Sequence, residues 1–333
     1  MSASPVTIEV TRGSVVESRH VGAAVVVRAD GSIVESWGDV DAGVLPRSAI
    51  KPLQAMPFVE SGAVERFGLD NRHIAISCAS HNGEMRHVDL VREWLARIGL
   101  SENDLECGPQ PPKLMSGVEA LAREGKPWTN AFNNCSGKHS GFLSTAVQHG
   151  EPTRGYIGYD HPVQRRIRDV MGELGGLDMS RIPWGVDGCG IPTLAVPLTA
   201  LARMMAQMAD PSRLSNRRAE AAGRIRAAMN AEPFMVAGTG RFCTTVNGLL
   251  VGVAQVKTGA EGMFCGILPR LGYGVALKMD DGAGRAAEVA MAAILSHLGV
   301  LPAAEREAMT HPAVKNVVGL LVGEVRPART WLG

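Results

Sequence analysis

Aromatic residues are scarce in this sequence (5%), cysteines are few (6 in 333 residues), and no charge of one sign prevails: 34 Lys and Arg stand against 33 Asp and Glu, for a net charge of +1. Scarce aromatics leave little to stack on bases, and balanced charge lacks the basic patch that phosphate contacts need, so no nucleic acid partner is expected. The cysteines (Cys78, Cys107, Cys135, Cys189, Cys243 and Cys265) are dispersed, which argues against a disulfide scaffold and for reduced thiols in the cytosol. A long hydrophobic run is also missing. The greasiest helical stretch, 194–209, contains Pro197 and Arg203 and is too short to span a bilayer. Residues 1–10 lack the basic start and apolar stretch of an export signal. The expectation is a cytoplasmic protein without a membrane segment. With 45% hydrophobic and 20% charged residues it is an ordinary globular chain, long enough for about two domains.

The first forty residues read as strands, at 6–11, 15–18, 23–28 and 32–37, with Asp30-Gly31 as a hairpin signal. Helical patterns follow for about two hundred residues, among them 47–61, 87–98, 118–123, 138–148, 161–174, 194–209 and 214–230. Strand character returns at 244–246, 249–257, 262–268 and 274–279, and an Ala-rich helix spans 284–298. Strands and helices segregate, which predicts an α+β fold. The two ends, 1–45 and 240–333, are expected to share one antiparallel sheet with flanking helices. The stretch 46–239 is expected to form a mainly helical lobe, with the active site in the cleft between them.

Three short motifs could carry chemistry. Ser48-Ala-Ile-Lys51, at a predicted helix start, sets a hydroxyl and an amine one turn apart, where an uncharged Lys can take the proton of a Ser nucleophile. By itself it reads first as a polar helix start. Ser80-His-Asn82 follows the apolar, strand-like run 74–78, and Lys257-Thr-Gly259 closes a predicted strand. Chance supplies only about 0.03 Lys-Thr-Gly tripeptides at this composition, and the three motifs in this order match the serine penicillin-recognising enzymes. Between them lie Asn133-Asn-Cys135-Ser-Gly-Lys138-His139-Ser-Gly141 and Asp187-Gly-Cys189-Gly-Ile-Pro192. Two thiols in glycine-flanked turns could bind Zn²⁺, or could be buried cysteines at tight turns. Gly238-Thr-Gly240 reads as a turn signal.

With these residues in view the chain resembles the rhizobial-type (class 3) L-asparaginases, the asparaginase II family. The resemblance rests on Pro46-Arg47-Ser48-Ala-Ile-Lys51-Pro, Cys78-Ala-Ser80-His-Asn82-Gly, Cys135-Ser-Gly-Lys138-His-Ser-Gly, Asp187-Gly-Cys189-Gly-Ile-Pro and Lys257-Thr-Gly-Ala260-Glu-Gly. It implies a fold like serine β-lactamases and glutaminases, hydrolysis of L-asparagine to L-aspartate and ammonia, and a homodimer. It also implies two Ser–Lys pairs, Ser48 with Lys51 and Ser80 with Lys257, and a Zn²⁺ held by Cys135, Lys138 and Cys189 with Asp187 nearby.

Amide hydrolysis needs a nucleophile, a base, an oxyanion site and an acid for the leaving ammonia. Ser48 is the expected nucleophile, with its own N–H and that of Ala260 for the oxyanion; the roles of Ser48 and Ser80 remain exchangeable. Lys51 must be neutral to act, which takes a pKa fall of about three units from ~10.4, or ~4 kcal/mol. Ser80 would relay a proton to the leaving amine and Lys257 would tune it. Arg47 would hold the substrate carboxylate, Asp187 its ammonium, and Asn82 and His139 would line the site. The alternatives are a glutaminase or β-lactam-binding acyltransferase on the same scaffold, and a non-catalytic amino-acid or zinc sensor.

Overall fold

In the computed structural model, which describes residues 5–332, the chain divides into two units. The first takes the residues up to Ala49, Val196–Asp210, and the chain from Val256 onward; the second takes Ile50–Ala195 and Pro211–Gln255.

Among the described residues the first unit is built on an eight-stranded sheet. Its strands are β1 (Val6–Arg12), β2 (Val15–Arg28), β3 (Ile33–Trp37), β4 (Gln255–Thr258), β5 (Met263–Leu268), β6 (Tyr273–Met279), β7 (Ala313–Lys315) and β8 (Leu321–Pro327). They run in the order β7-β8-β1-β2-β6-β5-β4, with β3 paired to β2. The early and late strands therefore meet in the middle, where β2 and β6 pair antiparallel through Val26↔Val275. Ala23 to Val27 are all buried, as befits a central strand covered on both faces. Helix Leu198–Ala209 packs on β2, β5 and β6, and helix Gly284–His297 on β5 and β6. A Cβ at Gly274 of β6 would lie 1.9 Å from the Ala202 carbonyl oxygen, so that glycine is what lets the first of these helices lie backbone to backbone on the strand.

The second unit is mostly helical, with a two-stranded ladder of Trp184–Val186 and Pro192–Leu194. Helix Ser136–His149 is buried continuously from Ser136 to Ala146 despite its serines, lysine and histidine. Ser140, Ser144 and Thr145 meet this by hydrogen-bonding carbonyls four residues back, at 2.8–2.9 Å. Gly137 brings the helix onto its neighbour: a Cβ there would sit 2.3 Å from the Ile76 carbonyl oxygen.

The α+β class holds, and several local expectations do not. The run 74–78 is helical, within Asn71–Ser77. A short apolar run cannot be told from a buried helix by pattern, and Asp70 caps this one by accepting the Arg72 N–H at 3.0 Å. Residues 244–246 lie in helix Phe242–Leu249, where Cys243, Val246 and Asn247 bury one helical face. The strand expected over 249–257 shrinks to β4. Helix Leu198–Ala209, placed by the sequence in a lobe over 46–239, belongs to the sheet unit. The helix expected over 47–61 is broken into a 3₁₀ turn, Arg47–Ile50, and two short helices, Lys51–Gln54 and Met56–Glu60, with Pro52 and Pro57 near their starts.

Candidate active site

The second unit assembles a buried polar cluster from four separated stretches. Helix Asn71–Ser77 ends just before Ser80, whose N–H donates to the Val236 carbonyl at 3.1 Å, while the His81 N–H donates to Asn134 at 3.2 Å. The segment is thus strung between two neighbours. Lys51, at the start of Lys51–Gln54, is fully buried and directs its amine at this segment. The amine hydrogen-bonds the Ala79 carbonyl, Ser80 Oγ at 3.1 Å and Cys135 Sγ at 3.1 Å. Its hydroxyl partner is Ser80, where the sequence pairing was with Ser48. Burial lowers the Lys51 pKa, and the nearby Lys138 charge lowers it further against the pull of Cys135.

Lys138 lies one turn after Cys135, at the buried end of helix Ser136–His149. Its Nζ donates to Cys189 Sγ at 3.1 Å. Cys189 stands in the turn between Trp184–Val186 and Pro192–Leu194, where Gly190 adopts φ +87°, a left-handed conformation that favours glycine. A hydrogen bond from Cys135 pushes the Cys189 thiol well down, helped by Lys138, and pushes that of Cys135 up. Burial opposes the charge on Lys138, but the two sulfurs and Asp187 outweigh it and keep the amine's pKa raised. The two sulfurs are the soft donors that a borderline cation would take, and the Lys138 amine, whose pKa is raised, would join them only by giving up its proton. Among the described residues no three His, Cys, Asp or Glu side chains are grouped for a metal.

The structure places the other candidates differently. Asn82 has every polar atom engaged: Nδ2 donates to Glu84 at 3.1 Å and to the Thr239 carbonyl at 2.9 Å, and Oδ1 accepts from Arg241 at 3.1 Å. Thr239 in turn donates its N–H and hydroxyl to Glu84, at 2.8 and 2.7 Å. Asn82 therefore positions the Ser80 loop. His139 faces the Tyr156 hydroxyl at 2.7 Å, and burial drives its pKa down to about 3, so it is neutral. Asp187 is half-buried, its field reaching Lys138.

Tyr156, Glu84, Arg241 and the His81–Ser136 hydrogen bond (2.9 Å) were not singled out from sequence. Gly238-Thr-Gly240 was the one available signal. A Cβ on Gly238 (φ +107°) would lie 2.5 Å from Glu84 Oε1, so the glycines admit the loop that clamps Asn82.

The remaining candidates belong to the first unit. Ser48 is half-buried in the 3₁₀ turn Arg47–Ile50, not at the start of a regular α-helix. Lys257 is buried on β4 and donates to the Thr258 carbonyl at 2.6 Å. Gly259 joins these segments: a Cβ on it would stand 2.8 Å from the Pro46 carbonyl oxygen and 3.2 Å from the Ala49 nitrogen. Arg47 (φ 50°) and Glu261 (φ 56°) are both held in the left-handed region, a strain of about 1–3 kcal/mol each that clusters at functional sites. Ala260 is exposed in the turn after β4.

Solved structures similar to the chain include a β-lactamase from Mycobacterium bovis (14% identity, 84% of this chain and 95% of that one, TM-score 0.41). A Bacillus glutaminase is similar at 11% identity, over 84% of this chain and 91% of that one, with a TM-score of 0.43. No curated protein matches the sequence. The family model of L-asparaginase II matches residues 8–327, and the chain belongs to that family of amidohydrolases.

Proposed function

Taking that membership as the premise, we propose that the protein hydrolyses L-asparagine to L-aspartate and ammonia through an acyl-enzyme, with Lys51 as general base. The observation that carries this is the buried Lys51 amine 3.1 Å from Ser80 Oγ. A neutral amine has two N–H groups, enough for the Ala79 carbonyl and Cys135 Sγ, and one lone pair left to take a proton.

In this reading Lys51 takes the proton of Ser48, three residues earlier in the chain, as Ser48 Oγ attacks the amide carbon. The Ser48 and Ala260 N–H groups support the developing oxyanion. The C–N bond breaks as Ser80 gives its proton to the departing ammonia and recovers one from Lys51. Water, deprotonated by Lys51, then cleaves the ester, and Lys51 returns that proton to Ser48 Oγ as L-aspartate leaves. Lys257 tunes the relay, Arg47 holds the α-carboxylate and Asp187 the α-ammonium. Cys135, Lys138 and Cys189 would hold one Zn²⁺, which when bound supplies positive charge close to the substrate.

The six free, buried cysteines support a cytoplasmic location. The exposed Val317, Val318, Leu320 and Leu321 support a second copy as partner.

Ammonia release from Asn and Gln, and the colour change of a chromogenic β-lactam, each with and without Zn²⁺, test the proposal. Turnover of Asn well above Gln carries it, and preferred Gln turnover or β-lactam cleavage moves the protein to the alternative acyl-transfer activities. Stabilisation by Asn with no ammonia released would make it a sensor.

A further inference from the structure

The second unit also contains a cavity of about 370 Å³ that no residue with a proposed catalytic or metal role lines. Its roof is helix Met115–Arg123, which buries only Leu121. On the face turned to the cavity, at one-turn spacing, stand Gly117, Ala120, Leu121 and Glu124. Two of these four are the smallest side chains available, and larger residues there would fill the space. The cavity therefore stays open because of the sequence. Pro112, Leu114 and Phe132 complete an apolar lining.

The charged groups at the cavity all have partners. Glu84 accepts from Thr239 at 2.7 and 2.8 Å, Arg92 donates to Glu102 at 3.0 Å, and Lys126 lies 2.9 Å from Glu124. These pairs leave no net charge at the opening, so neither an entering carboxylate nor an entering ammonium meets an unmatched opposite charge. A neutral apolar molecule sets aside none of these pairs and gains the burial of its surface. The volume lies in the range of small-molecule sites.

We propose that this cavity is a binding site for a neutral, largely apolar small molecule of about the size of a fused bicyclic ring. The floor of the site is Gly83, whose N–H donates to His81 Nδ1 at 3.1 Å. A Cβ at Gly83 (φ +69°) would lie 2.8 Å from the Phe132 carbonyl oxygen, which pins floor and wall together. The Lys113 N–H donates to the Asn82 carbonyl at 2.8 Å and ties the edge of the roof to the loop that carries Ser80.

The test uses indole as the probe, by equilibrium dialysis and ligand-observed NMR on the full chain. For nine heavy atoms a Kd on the order of 0.1–1 mM is the expected scale. One indole should bind per chain. Ala120→Trp fills the cavity from an exposed helix position and should weaken binding at least tenfold. Ala122→Trp adds the same bulk to an exposed position outside the lining and should leave it unchanged. Circular dichroism of both variants confirms that each is folded. Indole-3-acetate, the charged analogue, should bind at least tenfold more weakly than indole. Absence of saturable indole binding up to 10 mM (about tenfold above that range) overturns the proposal. So does binding that Ala120→Trp leaves intact, or a preference for the carboxylate.

Discussion

The two units hold their functional residues by different means. In the second, Lys51, Ser80, Cys135, Lys138 and Cys189 are fixed by hydrogen bonds between buried polar side chains. In the first, the Ser48 turn and the Lys257 strand are brought together by a side chain that is missing, at Gly259. The same device seats helix Leu198–Ala209 at Gly274 and lets β2 pass β6 at Gly22, where a Cβ would meet the Lys278 carbonyl oxygen at 2.1 Å. The buried cluster should thus be sensitive to loss of a partner, because each remaining group is left desolvated and unmatched. The close backbone approaches should be sensitive to added volume and indifferent to charge.

The largest effect expected is on turnover. Ser48→Ala and Lys51→Met should each lower kcat/KM by about 10³-fold or more, and the double variant should be little worse in turnover than either. Melting should stay near wild type in Ser48→Ala and fall in Lys51→Met, which leaves Ser80 and Cys135 without their buried partner. If Ser48→Ala keeps near-normal turnover, the nucleophile is Ser80 and the working pair is the hydrogen-bonded one in the second unit. Next comes the volume test in the first unit. Gly274→Ala should cost ~3 kcal/mol in urea unfolding, with kcat of the folded fraction unchanged. A cost within 0.5 kcal/mol (about the scatter of ordinary surface changes) would break the contrast between the units.

The metal site sharpens the comparison from the other side. Wild type purified without chelator should carry about one Zn²⁺ per chain, and Cys135→Ala and Cys189→Ala less than about a tenth of that, with weaker binding of Asn. Because the thiol and amine donors must lose protons first, occupancy should fall as pH falls. Equal zinc in wild type and mutant would make these cysteines plain core residues. The smallest effect belongs to the helix that delivers Ser80. Asp70→Ala should destabilise by ~1 kcal/mol at pH 7. Hydrogen bonds from Arg72 and His73 outweigh partial burial and hold the Asp70 pKa at about 2, below its usual 3.8. Its ionic contribution is therefore present above pH 3.8 and lost as pH falls toward 2, so the gap between wild type and mutant should narrow from pH 4 to pH 3.

Much of this was legible in the sequence. Alternation and turn signals located most strands, and short motifs singled out Lys51, Ser80, Cys135, Lys138 and Cys189, which the fold links through buried hydrogen bonds. What was misread was short or ambiguous. The run 74–78 has the apolar content of a strand, and only the Asp70 cap and the packing of Gly137 on Ile76 show it to be helix. Asn82 looked like a ligand group because its motif is short, and nothing local reveals that Glu84, Thr239 and Arg241 already occupy it.

The sequence by itself determined the α+β class, the family, and the residue types at the site, since all of these depend on periodicity and on motifs a few residues long. Only the tertiary structure decided the partners: that Lys51 meets Ser80 and Cys135, that Lys138 meets Cys189 from fifty-one residues away, and that helix Leu198–Ala209 lies on the sheet. Those pairings depend on which backbones can approach closely, at Gly137 and Gly274, and on where buried polar groups find each other once water is excluded.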